Sequence, residues 1–139
     1  MIRKVMLGEE IVISTKNKIG LMADVSTLLA REGVNIEAAA GYEAGKTAIL
    51  LLVTNANLAI VNALKKKKYK QVKETEVVVV ELENKPGALK AVTGELRRAR
   101  IDIKHIYVTG AATGPSKMVI LTGDNEAAIA RLTAAMSKG

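Results

Sequence analysis

The amino-acid sequence predicts an α+β protein built from two copies of one small unit, and three observations carry this prediction. The 139-residue chain contains an internal repeat. Each copy alternates β-branched runs with apolar stripes at helical spacing. With 49% hydrophobic and 25% charged residues, a chain of this length can bury a core.

The repeat is clearest around two glycine-containing segments that lie 67 positions apart. Residues 17–36 align with residues 84–103 without a gap, and the match returns at 51–54 and 119–122 after one inserted residue. Chance similarity does not stay in register over such a length. We therefore interpret the chain as a tandem duplication, which sets the fold before any local structure is assigned.

Each copy shows the same order of elements. The first copy is predicted to contain a strand at 10–14, a helix from Met22 through Val25 and Leu29 to a stop at Gly33, strands at 34–39 and 47–54 around a loop at 41–45, a helix through Leu58, Val61 and Leu64, and an edge strand at 69–73. The second copy is predicted to contain a strand at 76–82, a helix after Gly87, strands at 101–108 and 117–122 around a loop at 110–115, and a helix through Ala127, Ile129 and Leu132.

The order βαββαβ is that of a ferredoxin-like module, with an antiparallel sheet and helices on one face. We expect a first module at residues 1–73 and a second at residues 74–139, where the sequence ends before a fourth strand. An apolar sheet edge left bare invites aggregation. We therefore expect Arg3–Leu7 to pair with that edge.

Charge and composition exclude several classes of protein. Of the net charge of +7, all but one unit comes from six lysines in residues 65–73, a run typical of a solvated helix end. The absence of cysteine removes disulfides and thiolate chemistry and fits a cytoplasmic location. The longest apolar run, 48–53, is too short to cross a bilayer, and the first residues do not form a signal peptide.

The segment 80–89, Val-Glu-Leu-Glu-Asn-Lys-Pro-Gly-Ala-Leu, is followed by a helical stripe and by Ile101-Asp102-Ile103. This sequence resembles the ACT domain family of regulatory amino-acid-binding modules, and the likeness extends over nearly the whole chain from about Ile11. The first copy departs from the family pattern because Ile19 stands where the family usually has proline. The resemblance implies a free-standing tandem pair of ACT modules without an attached catalytic domain.

In this family the ligand usually lies between two modules, where the loop after strand one of one module meets the second strand of its neighbour. By position, the resemblance assigns ligand contacts to two loops and two strand starts. The candidate residues are Asn17, Ile19, Gly20, Leu21, Met22, Asn35, Ile36, Asn84, Pro86, Gly87, Ala88, Leu89, Asp102 and Ile103.

Physical chemistry supports a site at these loops. Gly20 and Gly87 precede a helix, whose free N–H groups attract a carboxylate. An asparagine carbonyl or the Asp102 carboxylate is a suitable acceptor for an α-ammonium. A purely structural interpretation stays open, because glycine and proline also shape turns and Asn17 and Asn84 are suitable helix caps.

An enzyme is the first alternative class. The sole histidine, His105, has no nucleophile or metal-ligand pattern around it. The loop 110–117 lacks the Gly-Lys-Ser/Thr ending of a phosphate loop and joins two strands. Acylphosphatases share the element order but depend on an arginine after strand one, which neither copy has. We therefore predict no catalytic residue, no metal and no cofactor.

An RNA-binding module is the second alternative, because such modules also use the βαββαβ order. They stack bases on aromatic side chains of the sheet. This chain has no Phe or Trp, and of its three tyrosines only Tyr107 lies in a suitable strand. We do not expect nucleic acid as a partner.

The sequence thus predicts a non-catalytic regulatory protein that binds a small ligand, an amino acid by the family resemblance, at contacts between ACT modules. We expect a homodimer, with an unidentified protein partner left open. The alternative is a ligand-free scaffold that pairs through the same modules.

Overall fold

A computed structural model describes residues 1–110 and 112–136 of the chain. The chain forms two compact units. The first unit contains residues 9–75, and the second contains residues 1–8 together with the chain from Glu76 onward. The division lies two residues after the predicted boundary at 73/74, and residues 1–8 belong with the second repeat, whereas the sequence predicts them in the first module.

The predicted α+β class and the repeated element order are confirmed. Strands of the first unit are ordered β2-β3-β1-β4, and those of the second β1-β4-β6-β5, because β1 and β4 each contribute residues to both units. The elements are β1 (Ile2–Lys16), α1 (Leu21–Arg31), β2 (Ile36–Ala44), β3 (Thr47–Thr54), α2 (Asn57–Lys66), β4 (Gln71–Leu82), α3 (Ala88–Arg98), β5 (Ile103–Thr109), β6 (Ser116–Thr122) and α4 (Asn125–Met136).

Each unit has its own apolar core between the sheet and two helices. In the first unit α1 buries Leu21, Val25 and Leu29 in a core that includes Ile11 and Leu52. In the second unit α3 buries the equivalent positions, Ala88, Val92 and Leu96. The helical spacing of these residues places them on one face of the helix.

The predicted helical stripes were wrong at their first residues. Leu21, not Met22, starts the buried stripe of α1, and Met22 is 38% exposed. In α2 the buried residues are Ile60, Val61 and Leu64, and Leu58 is 70% exposed. With 3.6 residues per turn, either of two adjacent residues can begin a buried stripe. The residue at which the helix starts decides which of the two is buried.

The N-terminal segment completes the second unit. The Glu83 amide donates a hydrogen bond to the Met1 carbonyl at 2.9 Å, and Ile2 and Val5 pack against the second core. At the other end of the segment, a Cβ on Gly8 would lie only 2.7 Å from Cγ2 of Val79, so a side chain larger than hydrogen would force a shift. The predicted pairing of Arg3–Leu7 with the edge of the second unit, which is formed by β4, is confirmed.

Three strands are longer than predicted. β1 unites the segment 3–7 and the strand predicted at 10–14. β2 continues through the predicted loop at 41–45, because its pairing with β3 extends to Ala44 opposite Thr47, and the turn is reduced to Gly45 and Lys46. β4 unites the predicted edge strand at 69–73 and the predicted strand at 76–82. In the predicted loop at 110–115, Ala111 lies outside the described residues, as do residues 137–139.

The duplication extends to individual hydrogen bonds at the starts of α2 and α4. The Thr54 hydroxyl donates to Oδ1 of Asn57 at 2.6 Å, and Nδ2 of Asn57 donates to the Glu9 carbonyl at 3.0 Å. In the second unit the Thr122 hydroxyl and Asn125 form the same bonds, with the Glu76 carbonyl as acceptor. These bonds fix each helix start to the first strand of its own unit.

Candidate ligand-binding site

A cavity of about 540 Å³ lies in the first unit, between the start of α1 and strands β2 and β3. Binding pockets for small molecules usually fall within roughly 300–1,000 Å³ and are mostly apolar with a few polar groups. The lining follows this composition. It consists of Asn17, Lys18, Gly20, Leu21, Met22, Ala23, Ala39, Ala40, Gly41, Tyr42, Ala48 and Leu50.

A glycine in a left-handed conformation opens α1 beside this cavity. Gly20 has φ 84° and ψ 5°, and no atom lies within 4 Å of the position a Cβ would take. The first intrahelical hydrogen bond runs from the Asp24 amide to the Gly20 carbonyl, so the amides of Met22 and Ala23 precede the ladder. Such leading N–H groups attract anions, and the helix dipole adds to this attraction.

Two polar residues of the lining, Asn17 and Lys18, pair with carboxylates that lie outside it. Nδ2 of Asn17 donates a hydrogen bond to a carboxylate oxygen of Glu43 at 2.6 Å. Nζ of Lys18 lies 3.0 Å from the Asp24 carboxylate, and this hydrogen bond raises the pKa of the Lys18 ammonium above its ordinary value. The site therefore presents both a fixed cation and acceptor oxygens close to an apolar interior.

The structure brings together four of the predicted residues of the first copy, namely Asn17, Gly20, Leu21 and Met22. Ile19 is fully exposed and is outside the lining. Asn35 and Ile36 also lie outside it, and Ile36 packs against the core of its unit. The part of β2 that faces the cavity is the later stretch 39–42.

Sequence reasoning missed this stretch of β2, and it also missed Lys18, Ala23, Ala48 and Leu50. The sequence feature that indicates this part of the site is the run of small residues Ala38-Ala39-Ala40-Gly41. The predicted strand ends at residue 39, and the predicted loop begins at residue 41. Small side chains on a paired strand leave unfilled space beneath a helix.

The predicted residues of the second copy are in a different environment. Gly87 has the same left-handed conformation as Gly20 (φ 88°), and it precedes α3, which begins with Ala88 and Leu89. A Cβ at Gly87 would lie 3.4 Å from the methyl carbon of Met1, in ordinary van der Waals contact. The side chain of Met1 therefore lies beside Gly87. The same loop also contains Asn84 and Pro86.

Ion pairs also form at the predicted loop and strand start of the second copy. Nζ of Lys85 lies 2.6 Å from the Glu83 carboxylate, and this hydrogen bond keeps the pKa of Glu83 below its usual range. The predicted ammonium acceptor Asp102 pairs with Lys104 at 2.9 Å. Ile103, like Ile36, packs against the core of its own unit.

The sole histidine and the described carboxylates do not form a metal-binding group. His105 is half-buried on β5 and stacks on Tyr107, with ring centroids 6.2 Å apart. Within residues 1–110 and 112–136, no three His, Cys, Asp or Glu side chains are grouped so that they could hold a metal ion. In the same ranges, none of the helices has the length and apolar character needed to span a bilayer.

The two units define a tandem protein of ferredoxin-like modules with a ligand-sized cavity at one glycine turn. Residues 11–74, which make up nearly all of the first unit, match the AHAS small subunit-like ACT domain. The predicted ACT resemblance is thereby confirmed for that unit.

Solved structures show the same fold over nearly the whole chain. Protein BT0572 of Bacteroides thetaiotaomicron is 27% identical with a TM-score of 0.85, and the match covers 94% of this chain and 89% of that one. The ligand-free regulatory subunit of aspartate kinase from Thermus thermophilus is 14% identical with a TM-score of 0.70, covering 96% and 97%. The corresponding subunit from Thermus flavus is 15% identical with a TM-score of 0.60, covering 96% and 97%. A comparison with proteins of curated function found no match.

Proposed function

We propose that this chain is a non-catalytic regulatory protein that binds an amino acid in the cavity of its first unit. The observation that carries the proposal is the cavity of about 540 Å³ beside the left-handed Gly20 at the start of α1. Two neighbours of the same fold are regulatory subunits of aspartate kinase, which supports a regulatory role for this architecture.

The lining suggests how an amino acid would be oriented. The α-carboxylate would accept hydrogen bonds from the leading amides of α1, close to the Lys18 ammonium. The α-ammonium would lie near the Glu43 carboxylate, which Asn17 holds in place. An apolar side chain would then contact Leu21, Met22, Ala48 and Leu50. The three parts of the ligand would thus have chemical counterparts in the lining and in Glu43, which a lining residue holds.

The surface around the cavity favours a role in pairing between modules. Ile19 is fully exposed and Tyr42 is 57% exposed, although both are large apolar side chains. We propose that a second chain covers this surface in a homodimer, with the ligand at the contact. Binding would then favour one arrangement of modules only through its different affinity for the alternatives. A cytoplasmic location stays a prediction from the sequence.

A thermal-unfolding screen against the twenty amino acids, each at millimolar concentration, tests the proposal. A ligand at 100 times its dissociation constant stabilises a protein by about 2.7 kcal/mol, which corresponds to a shift of several degrees for a chain of this size. We expect one amino acid or a chemically related group to raise the midpoint.

The variant Met22→Glu locates the site. The new carboxylate suits the first turn of a helix but would repel the ligand carboxylate, so the shift should disappear. Leu58→Glu is the matched control, because Leu58 is an exposed apolar residue in the first turn of α2 and is not part of the lining. If Met22→Glu retained the shift, or if all twenty amino acids left the midpoint unchanged, the ligand-free scaffold would replace the sensor as the better proposal.

A further inference from the structure

Two positions of β2 that line the cavity of the first unit have larger side chains at the equivalent positions of β5 in the second unit. Ala39 of β2 pairs with Leu52 of β3, and Ile106 of β5 pairs with Ile120 of β6. Leu52 and Ile120 both belong to the core of their unit. Paired residues of antiparallel strands point to the same face, so Ala39 and Ile106 occupy equivalent places on the helix-covered side.

The next position on that face shows the same replacement. Gly41 pairs with Leu50 in the first unit, and Val108 pairs with Met118 in the second. The first unit thus has alanine and glycine where the second has isoleucine and valine. The additional methyl and methylene groups take up part of the space between the strand and the start of the helix, although Ile106 and Val108 remain 37% and 47% exposed.

The glycine turns differ in a second and independent way. A Cβ built on Gly20 would meet nothing within 4 Å, whereas one on Gly87 would touch the methyl carbon of Met1 at 3.4 Å and its sulfur at 3.9 Å. Methionine is flexible and fills irregular gaps well. The backbone bond from the Glu83 amide to the Met1 carbonyl holds this side chain close to the turn.

We propose that the chain binds one ligand only, in the cavity of the first unit, and that Met1 and Ile106 occupy the counterpart of that site in the second unit. This inference rests on the proposed function and makes it more specific. The two ACT-type units would then have different tasks. The first would sense the amino acid, and the second would serve as a folded partner whose glycine turn is closed by the chain itself.

Backbone amide spectra of the ¹⁵N-labelled protein test this inference, because Gly20 and Gly87 report separately on the two turns. The twenty amino acids are added singly at millimolar concentration. We expect the amino acid that binds to shift the Gly20 signal and to leave the Gly87 signal in place. Equal shifts at both glycines would overturn the inference and leave the proposed function intact. No shift at either glycine with any amino acid would overturn both.

Substitutions that exchange the residues of the two units provide the matched test. Ala39→Ile places the second unit's residue in the first, where it should lower affinity about tenfold or more, as extra methylene groups in a pocket do. Ile106→Ala is the control and should leave affinity unchanged. Unaltered affinity in Ala39→Ile would overturn the assignment of the cavity as the site.

The closing role of Met1 needs its own variant. Met1→Ala combined with Ile106→Ala, produced behind a cleavable N-terminal tag, retains the backbone bond to Glu83 and removes both large side chains. We expect the same amino acid to shift the Gly87 signal in this variant. A Gly87 signal that stays unchanged would overturn the assignment of these two side chains as the obstruction.

Discussion

The two units of this chain have the same backbone conformation but differ in the side chains that lie beside the glycine turn. Both have a left-handed glycine before the first helix and the same threonine–asparagine bonds at the second. The first unit is formed by one continuous stretch of chain, whereas the second needs residues 1–8 for its last strand. The comparison shows that duplication preserves the fold-defining contacts while the small residues beside the glycine are free to diverge.

The largest effect is expected from removing residues 1–7. They form a strand of the second unit although they precede the first unit in the sequence. A variant without residues 1–7, beginning at Gly8 behind a start methionine, removes Ile2 and Val5 from the second core and exposes an edge of β4. Full burial of an aliphatic side chain contributes roughly 1.5–3 kcal/mol. Ile2 and Val5 are partly buried, and the hydrogen bonds between β1 and β4 are lost with them, so we expect a loss of about 3 kcal/mol in the free energy of unfolding, measured by urea denaturation.

Hydrogen exchange shows where this loss falls. Amides of the second core, such as those of Val78 and Ile120, should exchange faster, and those of the first core, such as Ile13 and Leu52, should keep their protection. Equal loss of protection in both cores would mean that the N-terminal segment stabilises the chain as a whole. A variant as stable as the full chain would show that the segment is dispensable.

A smaller effect is expected at the asparagines that the duplication preserved. Asn57→Ala leaves the Thr54 amide and the Glu9 carbonyl without their partner, and Asn125→Ala does the same to Thr122 and Glu76. An unsatisfied polar group costs about 1–3 kcal/mol when it is fully buried, and we expect a smaller loss here because these bonds are partly buried or exposed. We expect the two variants to lose similar amounts in urea denaturation. A loss confined to one of them would show that the duplicated bonds no longer have the same role.

The sequence allowed the fold to be predicted well because its main signals are local. The stripe Val25–Leu29 and its copy, the glycines before each helix and the β-branched strands all describe short stretches of chain. They identified the unit, its repeat and the glycine turn of the cavity. The N-terminal strand could be expected as well, because the second copy lacked its last strand.

Contacts that depend on pairing between distant segments could not be predicted in the same way. Gly41 looked like a turn residue, and only its pairing with Leu50 on β3 makes it part of a strand and of a cavity wall. Met1 lies beside Gly87 because the N-terminal strand returns to β4, and no local pattern indicates how close the two residues come. The candidate site was therefore predicted at its loop but not along its strand.

The helix ends provide a still smaller comparison. Gly33 ends α1 with φ 70°, and its equivalent Arg100 ends α3 with φ 57°. Both allow the same closing bond, from Val34 to the Leu29 carbonyl and from Ile101 to the Leu96 carbonyl. A left-handed conformation costs a residue with a side chain about 1 kcal/mol. Arg100→Gly should therefore stabilise the protein by somewhat less than that amount, and Gly33→Ala should destabilise it. A loss of stability in Arg100→Gly would contradict this account.

The smallest effect concerns a pair of acids in the first unit. A hydrogen bond with Glu9 raises the pKa of Glu74, and burial and the charge of Glu9 act in the same direction. A carboxyl with a raised pKa binds its proton more tightly when folded, so its contribution to stability is present at low pH and decreases as the pH rises through that pKa. Glu9→Gln removes the neighbouring charge, so we expect the Glu74 pKa in an NMR titration to fall. The loss of stability between acid and neutral pH should become smaller as well. Glu126→Gln, which removes one exposed acid from α4, controls for the change in net charge. If both variants left the Glu74 pKa where it is, burial rather than Glu9 would be its cause.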